Sequence, residues 1–299
     1  MNMGNTFTKV FLEKRERFNQ SCEERLRTME FPEGITEYLD IPYADDNKPE
    51  HRMDIFRPVN REGDKLPVII DVHGGGMILG CKEFNRYFCA EVCKHGFVVF
   101  SIEYSLVPEV QVYNQFADLS LAMDRIKELI PKYDGDMEHV YVVGDSGGAY
   151  ILTYTVAMQR SEALAKAAGV TPSILKVNAL GLISGMFYTT KFDEIGLFMP
   201  RYLYGEGYKR SAFAPYINPE HADIVTSLPP CYLITSRNDN LKHYTLSFER
   251  ALSRYQLPHE LLYYEEKNKR LTHAFCVFEP FMAESSDAIT RLVHFLKKY

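Results

Sequence analysis

Val140-Tyr141-Val142-Val143-Gly144-Asp145-Ser146-Gly147-Gly148 is the stretch on which the reading of this 299-residue chain turns. Four consecutive apolar residues, three of them valine, make a short strand of the kind buried on both faces. Glycines then stand two before and two after a serine, the pattern G-x-S-x-G, and a helical pattern begins at about Gly147. A serine in that setting occupies a tight, strained strand-to-helix turn, where its neighbours have almost no room for a side chain. The helix start aims free N–H groups and a partial positive charge at the reacting centre. Ser146 is therefore read as a nucleophile rather than as part of a glycine-rich helix entry.

Outward from this turn the chain alternates. Short apolar strands are predicted at 66–72, 97–102, 140–143, near 176–183, at 231–234 and at 259–264. Helical patterns fall between or after them, near 83–95, 115–130, 243–256 and 280–298. Buried strands separated by helices predict a mainly parallel sheet covered on both faces. Two further runs, 35–42 and 51–57, flank the polar turn 45–49 and predict an antiparallel start. The letters G-D-S-G-G also surround the serine of trypsin-like proteases, but those place histidine and aspartate before the serine and are built from two β-barrels. The alternation here excludes them.

Two segments depart from the rhythm. Residues 6–30 read as an amphipathic helix, with Phe7, Val10, Phe11, Phe18, Leu26 and Met29 among dense mixed charges. Residues 186–222 are rich in Phe, Tyr, Gly and Pro and lack a clean period, as lids and binding loops do. The expected division is a cap region at 1–34, a core at 35–185, a cap insertion at 186–222 and the rest of the core at 223–299. Phe187 and Tyr188, with Met77 after the glycines described next, are expected to bind substrate; Phe198, Tyr202 and Tyr204 are further candidates. The plainer reading is that these aromatics pack the insertion onto the core.

His73-Gly74-Gly75-Gly76 follows the strand at 66–72. Acyl transfer passes through a tetrahedral oxyanion that needs N–H donors already aimed at it, and consecutive glycines let backbone amides come close. Gly74, Gly75, Gly76 and Gly147 are the candidates. A dinucleotide loop is the rival, with Glu103 as the ribose acid. Gly80 misses the G-x-G-x-x-G spacing by one residue, and that reading leaves the turn at Ser146 unexplained.

An activated serine also needs a histidine base and a carboxylate to hold it. Of His243, His259, His273 and His294, only His273 falls in the loop between the last strand and the last helix. Asp239 follows the strand at 231–234 on a carboxyl-end loop, where catalytic groups gather. Glu265 and Glu266 trail the last strand in a charged run, and Asp223 precedes its strand at the wrong end.

Apolar residues make up 46% and charged residues 25%, ordinary for a globular chain, and the net charge of −6 argues against nucleic acid as a partner. No apolar run is long enough to cross a bilayer, and the charged first 20 residues lack a signal-peptide core. The six cysteines are scattered with no metal-ligand spacing, so no metal and no cofactor are expected, and a reducing, cytoplasmic setting is. A homo-oligomer is left open.

Taken together, H-G-G-G at 73–76, E-Y-S-L-V-P-E at 103–109, G-D-S-G-G at 144–148, D-N-L at 239–241 and H-A-F at 273–275 resemble the hormone-sensitive-lipase family of α/β-hydrolases, in its bacterial esterase branch. The resemblance runs from about residue 50 to the C-terminus. It implies an eight-stranded, mainly parallel sheet with a helical cap, built from N-terminal helices and an internal insertion. It implies a carboxylesterase acting on small esters of short to medium acyl chain, with Ser146 as nucleophile, Asp239 as acid and His273 as base. Gly75, Gly76 and Gly147 would be the main oxyanion donors. Ser105 and Val107 stand where the family usually has Arg and Ala, Gly147 where it has Ala, and His243 where a second acid is common. An amidase or peptidase on the same fold, or a non-catalytic small-molecule receptor, are the alternatives.

Overall fold

The computed structural model describes residues 3–265 and 268–299, without the side chains of residues 3–8. Glu266 and the side chain of Phe7 lie outside that description. Strand β1 (Ile35–Pro42) pairs antiparallel with β2 (Arg52–Pro58), and β2 antiparallel with β4 (Val98–Ile102). From β4 onward every neighbour is parallel: β3 (Leu66–Val72), β5 (Gly135–Asp145), β6 (Ala179–Ile183), β7 (Cys231–Ser236) and β8 (His259–Tyr264). The order across the sheet is β1-β2-β4-β3-β5-β6-β7-β8. This is the α/β-hydrolase sheet, and β3 and β5, which carry the two glycine motifs, lie side by side at its centre.

The apolar strands have no polar face because both faces are covered. In β3, Val68, Ile70 and Val72 enter a core with helices α3 (Val112–Leu129), α4 (Ser146–Met158) and α9 (Lys242–Arg254). Ile69 points the other way, toward α2 (Arg86–Lys94) and α11 (Ala283–Leu296). Every residue of α4 is buried, as expected for a helix that is apolar all round. Strand β5 runs five residues earlier than its apolar core suggests, because Leu66 and Pro67 of β3 pair with Gly135 and Asp136. Pattern reading did not anticipate the short helix α5 (Glu162–Ala168), which opens on a Ser161 side-chain cap and closes on Gly169 in the left-handed region.

Helix α1 (Met3–Thr28) lies along the molecule through one face of a 3.6-residue period. Phe11 meets Tyr202 edge-on at 5.0 Å, Phe18 meets Phe84 at 4.7 Å, and Cys22 is buried. Segment 186–222 contributes α6 (Glu194–Phe198), α7 (Pro200–Tyr204) and 3-10 turns, followed by α8 (Ala222–Val225). A last short helix, α10 (Phe275–Phe278), follows His273. No helix among the described residues is long and apolar enough to cross a membrane. The cysteines are all unpaired, and five of the six are buried.

Candidate active site

Ser146 sits where β5 turns into α4, with φ of +49°. That left-handed conformation is costly for a residue with a Cβ and persists only where the surroundings enforce it. Here they do: a Cβ on Gly148 would lie 2.0 Å from the Val72 carbonyl oxygen, so the turn must press against the end of β3. The hydroxyl is presented at the carboxyl edge of the sheet, where the loops after β7 and β8 also arrive.

His273 Nε2 lies 2.9 Å from Ser146 Oγ, and His273 Nδ1 lies 2.8 Å from Asp239 Oδ1. A ring nitrogen facing a carboxylate carries the proton, so Nε2 is left as the acceptor for the serine O–H. Asp239 is 2% exposed. Burial alone would raise its pKa, but the hydrogen bond and charge of His273, the Leu241 amide and the Ser184 hydroxyl outweigh it and hold the carboxyl below its usual range. The Thr235 hydroxyl also donates to it, at 2.8 Å. Glu265, the rival acid, is exposed, and the structure brings Asp239 rather than Glu265 to the imidazole.

The glycine loop stands opposite. Gly75 has φ of +114°, and a Cβ there would meet the Leu79 carbonyl oxygen at 1.9 Å, so only glycine closes this turn. Among the described residues the N–H groups of Gly75, Gly76 and Gly147 have no protein acceptor. Gly74 differs and corrects the expectation for it: its N–H donates to Asp145 Oδ1 at 2.9 Å and is not free for an oxyanion. Gly147 has a reason to lack a side chain. A methyl there would stand 2.8 Å from the Met77 nitrogen and 3.0 Å from the Gly76 nitrogen, so glycine lets the loop approach the helix start.

Several positioning groups escaped sequence reasoning. Asp145, the variable letter of G-x-S-x-G, accepts from both Gly74 N and Asn85 Nδ2 and so ties the serine turn to the glycine loop. Asn85 Nδ2 reaches Asp71 as well, at 3.1 Å. Burial pushes the Asp71 carboxyl up to about 7 and raises Asp145 too. Ser184 Oγ accepts from Ala274 N at 3.0 Å, fixing the peptide next to His273. Buried serines and asparagines leave no periodic trace, so nothing in the pattern announced them.

His73 does not face the reacting centre. Its ring stacks on Tyr104 at 4.2 Å, Nε2 meets Glu103 Oε1 at 2.8 Å and Nδ1 meets the Gly74 carbonyl oxygen at 2.7 Å. Burial works against a charge on this ring, but Glu103 and the Gly74 carbonyl outweigh it and raise its pKa. The Gly74 carbonyl is thereby held away from the pocket, and across a trans peptide the Gly75 N–H points the opposite way. Glu103 also forms a close group with Cys81 and Glu83. Those charges are already met by His73 and Lys82, and the Cys81 thiol is raised by burial and by the two carboxylates.

A pocket of about 370 Å³ opens beside Ser146 and His273. Gly75, Gly76, Ile78, Leu79 and Phe278 line it from the core, Lys14 and Phe18 from α1, and Met186, Ile195 and Met199 from the segment after β6. The expected substrate-binding residues are not among them. Met77 is wholly buried in the core beneath the loop, where its backbone carbonyl oxygen accepts from Gln115 and Val107. Phe187 is wholly buried and stacks on Phe248 at 4.2 Å. Tyr188 packs edge-on against Tyr244 and donates to Glu220. Tyr204 is buried against Tyr150 and Thr189, Tyr202 packs on Phe11, and Phe198 is half exposed. The plainer reading, packing onto the core, is the correct one for Phe187, Tyr188 and Tyr204. The Met186 N–H donates to the Ser146 carbonyl oxygen at 2.9 Å, which holds this segment beside the serine turn.

An open, mainly parallel sheet, a strained serine at the end of a central strand and a histidine arriving after its last strand define an α/β-hydrolase. The chain belongs to the α/β-hydrolase fold family, whose model matches residues 69–276, in agreement with the hormone-sensitive-lipase type that its motifs resemble. Over 239 residues, 76% of this chain, it is 28% identical to a protein of Arabidopsis thaliana named as a probable isoprenylcysteine alpha-carbonyl methylesterase, of which it covers 49%. A rice protein of the same name is 28% identical over 201 residues, 64% of this chain and 47% of its own length. The chain thus spans about half the length of these curated relatives. Among solved structures it is similar to esterase B of Lactobacillus rhamnosis, with a TM-score of 0.92, 20% identity and coverage of 100% of this chain and 96% of that one. A hyperthermophilic esterase of the archaeon Pyrobaculum calidifontis follows at TM-score 0.72 and 24% identity, covering 96% and 93%. At such identities the likeness is one of fold.

Proposed function

We propose that this chain is a carboxylic ester hydrolase acting through an acyl-enzyme on Ser146. The observation that carries the reading is the hydrogen-bonded line Asp239–His273–Ser146, with Ser146 and His273 on the lining of an apolar pocket beside the free amides of Gly75 and Gly76. His273 Nε2 takes the serine proton as Oγ attacks the ester carbonyl carbon. The carbonyl π-electrons move to oxygen, and the amides of Gly75, Gly76 and Gly147 meet the negative charge. His273 returns the proton to the leaving alkoxide, and the C–O bond breaks. Water, deprotonated by the same ring, then frees the carboxylic acid and restores Ser146. Asp239 stays ionised throughout and stabilises the imidazolium.

Segments 1–34 and 186–222 act as a cap over the reacting centre. Phe18 from the first and Met186, Ile195 and Met199 from the second support that division, since all four wall the pocket. A volume near 370 Å³ suits a small apolar arm, which supports short to medium acyl chains. The free, mostly buried thiols are consistent with work in a reducing compartment such as the cytoplasm.

A series of p-nitrophenyl esters from acetate to palmitate checks this reading. The expected profile peaks at short or medium chains and falls at least tenfold by the longest. A flat profile, or anilides cleaved faster than the matching esters, would count against it.

A further inference from the structure

The pocket holds one feature that ester hydrolysis does not explain. Its walls are apolar apart from Ser146, His273 and Asp145, and the Asp145 carboxylate is turned inward to Gly74 and Asn85. The remaining charged residue on its lining is Lys14, exposed on α1. Among the described residues Lys14 has no ion-pair or hydrogen-bond partner. Positions 10, 11, 17 and 18, the helical neighbours through which a lysine on α1 would find one, hold Val, Phe, Arg and Phe. Nearby cations of the same helix are engaged: Lys9 and Arg17 with Glu13, and Arg15 with Glu109.

The backbone that presents Lys14 is anchored. Arg15 donates through Nε to the Ile78 carbonyl oxygen at 2.8 Å and through Nη2 to the Val107 carbonyl oxygen at 2.8 Å, and it binds Glu109 through both terminal nitrogens. Ile78 itself lines the pocket, so the residue after Lys14 is stapled to the pocket wall. Phe18, one turn on, completes the same face. Lys14, whose ammonium is unpaired among the described residues, thus lines the same apolar pocket as the Ser146 hydroxyl, on a helix anchored to the pocket wall.

We infer that Lys14 is a specificity residue, and that the substrates are esters whose acyl arm carries an anionic group, a carboxylate in the simplest case, beyond an apolar stem. This rests on the esterase reading above. The stem fills the space between Phe18, Ile195 and Met199, the ester carbonyl lies at Ser146, and the distal anion meets the ammonium. Because Lys14 is open to solvent, the pair is modest in strength and screened by salt.

The test compares mono-p-nitrophenyl adipate with p-nitrophenyl hexanoate, six-carbon acyl groups that differ in the terminal carboxylate. The quantity read is the ratio of their kcat/KM values in the wild type, Lys14→Met, Lys14→Glu and Lys14→Arg. Lys14→Met keeps the stem and is expected to lower the ratio about fivefold, the upper end for an exposed pair, through KM for the adipate ester. Lys14→Glu should lower it by about the square of that, and Lys14→Arg should hold it near the wild-type value. The wild-type ratio should also fall as salt is raised. Equal ratios in the wild type, Lys14→Met and Lys14→Glu would overturn the inference while hexanoate cleavage leaves the esterase reading standing. A wild type that cleaves neither ester would overturn both.

Discussion

Replacing Ser146 by alanine is expected to lower kcat on a p-nitrophenyl ester by about 10⁵- to 10⁶-fold, with the fold intact. In the proposed mechanism the hydroxyl is the atom that forms the covalent intermediate. Its loss therefore removes a reaction path rather than weakening a contact. The rate left over should still exceed that in water, because the pocket and the amides of Gly75, Gly76 and Gly147 survive the change. Stability is expected to hold. Alanine keeps the Cβ that already sits at positive φ, and the elbow is fixed by Gly148 against Val72 and by Asp145 on Gly74 and Asn85, not by the serine oxygen. Steady-state kinetics with a thermal melt beside them check both halves. A loss of less than about a hundredfold would mean that the nucleophile lies elsewhere.

His273→Ala is expected to cost nearly as much as Ser146→Ala, and the double variant little more than either alone. The reason is that the two groups act as one unit. Without a base 2.9 Å away, the serine hydroxyl stays protonated and is a poor nucleophile; without the hydroxyl, the base has nothing to activate. Independent contributions would multiply, and the double variant would then be slower than either single one by orders of magnitude. That result would assign His273 a role other than base. Raising the pH should not rescue the single variant within the range where the protein is folded, since a serine hydroxyl does not ionise there unaided. Asp239 adds no titration of its own to the neutral range: its carboxyl is held below its ordinary pKa, so it is charged wherever activity is assayed.

The fold and the residues that meet in the hydrogen-bonded line Asp239–His273–Ser146 were legible because they rest on local patterns. Val140–Val143 followed by G-x-S-x-G can hardly be anything but a buried strand entering a tight turn, and the two predicted strands at 66–72 and 259–264 match β3 and β8 end for end. His273 followed from chain order, since it alone of the later histidines lies on the loop after β8. The pocket was not legible in the same way. Segment 186–222 has no period, so nothing in its residue types says which side chains face inward. Tertiary contacts make the choice: Met186 lines the pocket, while Phe187 packs on Phe248 and Tyr188 on Tyr244. Large aromatics are conspicuous in a sequence, but a core competes for them as strongly as a pocket does.

Gly74 teaches a related lesson. Three consecutive glycines look equivalent on paper, yet Asp145 captures the first amide and leaves the next two open. The contribution of α1 was half visible. Its apolar positions included Phe11, which is buried, but also Val10, which is exposed, and Lys14 and Arg15 read as ordinary surface charges until the Ile78 and Val107 carbonyls are seen beside Arg15. Charged residues on a helix carry little pattern information about the partners they meet.

The claim on which the account depends is that one hydroxyl, the imidazole that takes its proton and three backbone amides that receive the oxyanion converge on a single ester carbonyl group. A crystal structure of the protein inactivated by an alkyl p-nitrophenyl phosphonate measures that directly. The expected result is phosphorus bonded to Ser146 Oγ, with the phosphoryl oxygen about 2.7–3.1 Å from the nitrogens of Gly75, Gly76 and Gly147 and the alkyl chain beside Met186 and Met199. An adduct on any other residue, or one on Ser146 whose phosphoryl oxygen points into solvent away from those amides, would contradict it.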